Sequence, residues 1–278
     1  MRRRTSASLV AALLPLLLAL LTACSSSDGG SAAPTSTPTA SVSSAAPAPA
    51  APRVGSCHSL TLREATDPVD AGAPVGCRRP HTSVTVKVGR ISALADGHLL
   101  AVDSRTVRAR LTQACPREVT DLVGGDQTAR RLSRLEVVWF APTLEQADAG
   151  ADWFRCDVVG IRSTGRLLPL PATVAGLLDQ PGAGDRYGTC GTAAPDARGF
   201  QRVVCSVAHS WRAVDTVDLP AGTAYLDKTA GTTADSSCQD VASARADGAL
   251  KFSWSFEWPT RAQWDAGQRY GYCWVPEA

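Results

Sequence analysis

The apolar positions of this chain change their period several times along its length. Residues 9–21 are almost continuously apolar. That run is shorter than the roughly 20 residues a membrane-spanning helix needs, and Arg2, Arg3 and Arg4 precede it, so residues 1–23 are expected to be an export signal. Residues 25–52 hold only Ala, Ser, Pro, Thr and Gly, apart from Asp28 and Val42. A segment with so little to bury cannot offset its ordering entropy, so a disordered tether with a mean reach of roughly 30 Å is expected. Beyond it, Val84, Val86 and Val88 alternate with Thr85 and Lys87, the period of a half-buried strand. Val107, Leu111 and Cys115 then recur every four residues behind Asp103 or Ser104, either of which can cap a helix. Pro116 should interrupt that helix, which restarts with Val119 and Leu122 on the same spacing. Leu135, Val137 and Trp139 share one side of a strand, as do Phe252, Trp254, Phe256 and Trp258, opposite Lys251, Ser253, Ser255 and Glu257. A turn at Pro259, a short helical or looped piece around 263–267 and a strand carrying Tyr270 and Tyr272 follow. Residues 167–178 are apolar but broken by Pro169 and Pro171, so they do not read as a second membrane-length segment.

Much of this pattern occurs twice. Arg134–Trp139 lies over Lys251–Phe256 at an offset of 117 residues, Pro142-Thr143 over Pro259-Thr260, and Gln146 over Gln263. At the same offset Asp148-Ala149-Gly150 lies over Asp265-Ala266-Gly267, Trp153 over Tyr270 and Cys156 over Cys273. The earlier parts match at other offsets, as loops of unequal length would produce. Gly55-Ser56-Cys57 corresponds to Gly188-Thr189-Cys190, and Cys77 followed by His81 to Cys205 followed by His209. The expected fold class is therefore α+β: two tandem copies of a small disulfide-stapled antiparallel sheet with one packed helix, after a disordered tether. The boundaries read as a signal over 1–23, a tether over 24–52, a first repeat over 53–165, a linker over 166–184 and a second repeat over 185–278.

Charge narrows the function classes. Removal of residues 1–23 takes away three arginines and no acid, leaving 25 basic against 26 acidic residues. No long run of one sign occurs, so nucleic-acid binding has no electrostatic support. Arginine outnumbers lysine 25 to 3, which points to a GC-rich bacterial genome.

The nine cysteines divide into one and eight. Cys24 ends the stretch Leu21-Thr22-Ala23-Cys24, which resembles the bacterial lipobox, where a cysteine thiol is alkylated by a diacylglyceryl group. Cleavage before Cys24 would free its amine for a further acyl chain such as palmitate, and two or three chains anchor stably where one is marginal. The other eight form two sets, Cys57, Cys77, Cys115, Cys156 and Cys190, Cys205, Cys238, Cys273. An even set in an exported chain reads as disulfides, with three connectivities open to each set. First-to-second and third-to-fourth pairing is preferred, since it ties a loop to the start of a strand and a helix to the last strand. Zinc is the rival, but no Cys-x-x-Cys pair is present. No metal or cofactor is expected.

The ordered set of Gly-x-Cys, Cys-x-x-x-His, a mid-module cysteine and the ending Pro259-Thr260 through Gln263-Trp264-Asp265-Ala266-Gly267 to Cys273 resembles the septum formation domain of actinobacterial envelope proteins. The first copy has Ala147 where the second has Trp264. The resemblance implies attachment to the outer face of the cytoplasmic membrane and a part in division-septum formation, and it implies no enzyme activity. His81 and His209 are candidates for a ligand contact or a Cys-His nucleophile pair, against the plainer reading of loop-ordering imidazoles. Asp148 and Asp265 read as turn caps. Trp258, Trp264 and Trp274 are candidates for a recognition platform toward glycan or protein, against the plainer reading of a heavier second core. The expected function is a non-catalytic envelope lipoprotein that binds a partner in septum formation or wall growth. The alternatives are a wall-glycan-binding module and a hydrolase of wall components, though no Gly-x-Ser-x-Gly, His-Glu-x-x-His or phosphate-loop motif occurs.

Overall fold

The computed structural model describes residues 47–69 and 72–277. Cys24, expected to carry the lipid, and the expected signal and most of the expected tether lie outside the described residues. The first half runs β1 (Cys57–His58), α1 (Leu62–Ala65), β2 (Ser83–Arg90), the hairpin β3 (Leu94–Ala95) and β4 (His98–Leu99), α2 (Arg105–Val119), α3 (Gln127–Leu132), β5 (Leu135–Phe140), α4 (Leu144–Asp148), β6 (Trp153–Ser163) and β7 (Arg166–Leu168). A 3-10 turn (Leu177–Asp179) leads to α5 (Ala183–Tyr187), β8 (Thr189–Gly191), β9 (Arg202–Val204), β10 (Trp211–Asp218), α6 (Lys228–Arg245), β11 (Ser255–Glu257), α7 (Arg261–Asp265) and β12 (Tyr270–Pro276).

These strands form two antiparallel sheets and the small β3–β4 hairpin, a mixed α+β arrangement. The first sheet has the order β1-β2-β6-β5, with β7 also paired to β6. The second contains β8-β10-β12-β11, the same path through its corresponding strands, with β9 added outside β8. Each central pair carries an irregularity at the same place. The register of β2 on β6 shifts between Thr85 and Lys87, where Lys87 faces Cys156, and that of β10 on β12 shifts between Ala213 and Asp215, where Asp215 faces Cys273. A bulge bends its strand and increases the local twist, so each sheet curls beside its last cysteine.

That cysteine joins sheet to helix. Disulfides link Cys57–Cys77, Cys115–Cys156, Cys190–Cys205 and Cys238–Cys273, the first-to-second and third-to-fourth cysteines of each set. They close separations of 20, 41, 15 and 35 residues. The chain-entropy account gives about 3–4 kcal/mol for loops of this length. On α2 the four-residue stripe of Val107, Leu111, Cys115 and Val119 is buried against β5 and β6, and Ser104 accepts from the Val107 N–H as its cap. The helix does not break at Pro116. Pro116 is exposed, so the Thr112 carbonyl it leaves without a helical donor can meet water, and burial of Cys115 and Val119 on either side outweighs the loss. On α6 the stripe is Ala234, Cys238 and Ala242, small residues that let the helix lie close to β10 and β12.

Two expectations need correction. The strand expected over 252–258 pairs only at Ser255–Glu257. Extending its register would set Ser253 opposite Pro276, which has no N–H to donate. Trp254 and Phe256 nevertheless pack beside Cys238 and Cys273 as a core face. Residues 166–184 do more than connect: β7 joins the first sheet, and Leu167, Leu168, Leu170, Val174 and Leu177 are buried. The halves are fastened here. Tyr187 and Val204 enter the core beneath α2, the Arg134 N–H donates to the Tyr187 carbonyl at 2.6 Å, and Leu132 packs on Ala213, Tyr272 and Trp274.

Candidate functional site

The first sheet buries charge at its centre. Period-two alternation puts Ser83 and Thr85 of β2 on one face, Arg155 and Asp157 of β6 beside them, and His58 at the end of β1. The Cys57–Cys77 bond fixes β1, and so the backbone of His58, at the sheet edge. All five side chains are within 3% of complete burial. Ser83 Oγ donates to Asp157 Oδ2 at 2.6 Å, and Arg155 Nε lies 3.4 Å from Asp157 Oδ1. Arg155 Nη1 is 2.9 Å from His58 Nε2. A guanidinium only donates, so in this contact the ring nitrogen is the acceptor. Thr85 Oγ1 stands 3.4 Å from the same nitrogen, and the guanidinium carbon lies 4.4 Å from the centre of the Phe140 ring. Burial pushes the Asp157 carboxyl above its ordinary value, while Arg155, Ser83 and Thr85 pull it back.

Over this cluster lies a cleft of about 440 Å³ lined by Arg53, Ser56, His58, Gln146, Trp153 and Arg155, with Ala50, Ala51, Pro52, Gly72 and Pro74 completing its walls. The volume is in the range of small-ligand pockets. Trp153 is 6% exposed, and its indole N–H has no acceptor among the described residues. A buried donor left unpaired costs about 1–3 kcal/mol. The Gln146 side-chain carbonyl is already engaged, accepting from the Thr143 N–H in the capping box of α4.

The second sheet shows what the same strand paths hold without this cluster. By register, His58, Thr85, Arg155 and Asp157 correspond to Gly191, Ala213, Tyr272 and Trp274. Trp274 is fully buried and meets Phe200 edge-on at 5.4 Å between ring centres. Charge sits instead at the edge strand, where Glu257, pushed up by burial, takes Arg202 at 2.8 Å and the Trp274 indole N–H at 3.0 Å. An arginine–aspartate pair in the centre is thus not needed to close such a sheet. Buried ion pairs are often no more stabilising than well-packed apolar residues, so their presence calls for a reason other than stability.

The sequence candidates fall in several places. His81 is buried, its Nδ1 donating to the Arg79 carbonyl at 2.8 Å, and His209 Nδ1 donates to the Val207 carbonyl at 2.6 Å. Each ring thus closes the turn two residues before it. His209 Nε2 also reaches Glu277 at 3.1 Å. Trp264 and Trp274 present no exposed ring, because both point into the second core. Trp264 lies under the Arg269 guanidinium at 4.0 Å, and Trp274 donates to Glu257. Trp258 is half-buried, edge-on to Tyr225 at 6.4 Å and to Phe256 at 5.9 Å. Cys190, His209 and Glu277 come within 4.8 Å of one another, but the Cys190 sulfur is bonded to Cys205 and has no thiolate to offer a metal. His58, Ser83, Thr85, Arg155 and Asp157 were not singled out from the sequence. The available signal was Arg155-Cys156-Asp157, two opposite charges on the same side of an otherwise apolar strand.

Fold and site together define a disulfide-stapled α+β protein with two like-ordered sheets, one of which carries a polar cluster beneath a cleft. The model of the septum formation family matches residues 126–273, and the chain belongs to that family. The match takes in Gln146, Trp153, Arg155 and Asp157 and begins after Arg53 and His58. No curated protein and no solved structure matches the chain.

Proposed function

We infer that the chain is an exported lipoprotein, anchored through Cys24 to the outer face of the bacterial cytoplasmic membrane, that acts without catalysis as a binding or scaffold protein in septum formation. Residues 53–165 and 185–278 are two copies of one module. The common strand path, the matching disulfide pairs and the bulges opposite Cys156 and Cys273 support that reading. The observation that carries the division of labour is the contrast between the sheets: the second closes on aromatic rings, while the first keeps His58, Arg155 and Asp157 under a cleft. The first module binds and the second braces it. Four disulfides suit an oxidising compartment outside the cytoplasm.

A photo-reactive residue at Ser56, in cells carrying a fluorescent fusion, tests this. Enrichment at division sites with one dominant cross-linked species is expected. Even peripheral distribution with no enriched species would refute it. A second reading, direct binding of wall glycan, is favoured by the half-exposed rings of Trp258 and Tyr225. Co-sedimentation with purified wall, abolished by Trp258→Ala and unchanged by Arg53→Ala, would favour it.

A further inference from the structure

Among the described residues, the lining of the cleft is one-sided in its charge. Its described residues include two arginines and no carboxylate. Arg155 is met from behind by Asp157, whereas Arg53 is exposed and has no ion-pair partner among the described residues. The positive charge left to the cleft is therefore a single guanidinium. Around it stand donors: the unpartnered Trp153 indole N–H, and the Gln146 amide, whose oxygen the α4 cap already occupies. The rest of the wall is small and apolar, from Ala50, Pro52 and Pro74. A ligand that carries a cation would be repelled by Arg53 and would meet no carboxylate among the described lining residues. A ligand with one compact monoanionic acceptor and a small apolar body satisfies every feature.

We propose that the cleft binds a carboxylate, with Arg53 as its charge partner, Trp153 and Gln146 as neutral donors, and the alanine–proline wall against a methyl-sized substituent. The proposal rests on reading this cleft as the binding site. A carboxylate is planar and matches the two parallel N–H groups of a guanidinium, which fits one arginine better than a dianion would. Its source can be the free end of a peptide or an acidic sugar.

The test uses the full-length chain labelled with ¹⁵N at its tryptophans. The Trp153 indole signal is assigned by its loss in Trp153→Phe. Acetyl-dialanine with a free carboxylate, its C-terminal amide, and glucuronate are titrated into the millimolar range. The expected result is a saturable shift of the Trp153 signal with the peptide acid or with glucuronate, and none with the amide. Whichever acid binds more tightly identifies the source. Arg53→Ala, an exposed substitution, should weaken binding about tenfold, with Arg53→Lys in between. Should the amide shift the signal as strongly as the acid, or Arg53→Ala bind unchanged, the carboxylate assignment falls while the cleft survives as a site. Should no probe move Trp153 and Arg53→Ala leave in-cell cross-linking at Ser56 intact, the cleft itself is refuted.

Discussion

The contrast between the two sheets makes a quantitative prediction about Arg155 and Asp157. Arg155→Met removes the 3.4 Å ion pair, the 2.9 Å contact to His58 and the cation over Phe140, and leaves Asp157 buried at 0% exposure. Stranding one buried charge costs about 3–5 kcal/mol. For a folded unit of this size that is a fall in midpoint of roughly 10–15 °C. Asp157→Leu strands Arg155 in the same way and should cost a similar amount. The double variant Arg155→Met/Asp157→Leu strands neither charge and brings the site closer to the apolar filling of the second sheet. It is expected to lie within about 2 kcal/mol of the parent, so the coupling between the two sites should be several kcal/mol. Urea unfolding with disulfides intact, followed by near-ultraviolet circular dichroism, measures all four proteins. If the double variant loses the sum of the two single losses, the pair is not a replaceable unit of the core, and the inference that it is kept for function is wrong.

Three further outcomes are expected. Replacing Cys115 and Cys156 together with serine should cost about 2–5 kcal/mol, seen as a lower urea midpoint under non-reducing conditions, because the bond joins α2 to β6. Glu277 is held below its ordinary value of 4.5 chiefly by its bond to Arg212, aided by His209. A lowered carboxylate stabilises the fold above its unfolded pKa and loses that contribution as pH falls through the folded one. Glu277→Gln should therefore cost up to about 1 kcal/mol at pH 7, since solvent screens this pair, and the difference from the parent should shrink as pH drops below about 4.5 in urea titrations at several pH values. Cys24→Ala should move the protein from the membrane fraction to the medium, and retention in the membrane would argue against lipid attachment.

What was legible from the sequence was mostly what is local or covalent. The Val84–Val88 alternation, the α2 stripe and the cysteine order depend on spacing along the chain, and β2, α2 and the four disulfides follow them. The α6 stripe was faint because alanine and cysteine carry it, residues that bury well but add little to a periodic signal. Pro169 and Pro171 marked residues 166–184 as a connection, yet its leucines are core because β6 offers an edge for β7 to pair with. The polar cluster was least visible. His58 and Arg155 are 97 positions apart, and only the sheet brings them together. Of the two readings open for the tryptophans, the heavier core is the one that Trp264 and Trp274 follow, and alternation along β12 turns Trp274 inward.

The eight cysteines after Cys24 are joined as four consecutive pairs along the chain, and no bond crosses another. A polypeptide oxidised in order of emergence, amino end first, would always find its correct partner as the next thiol to appear. Native connectivity is then reached without any bond being broken and remade. The maturation of this protein should accordingly need an oxidant but no isomerase, and chain exported from cells that lack a disulfide isomerase should still carry all four links.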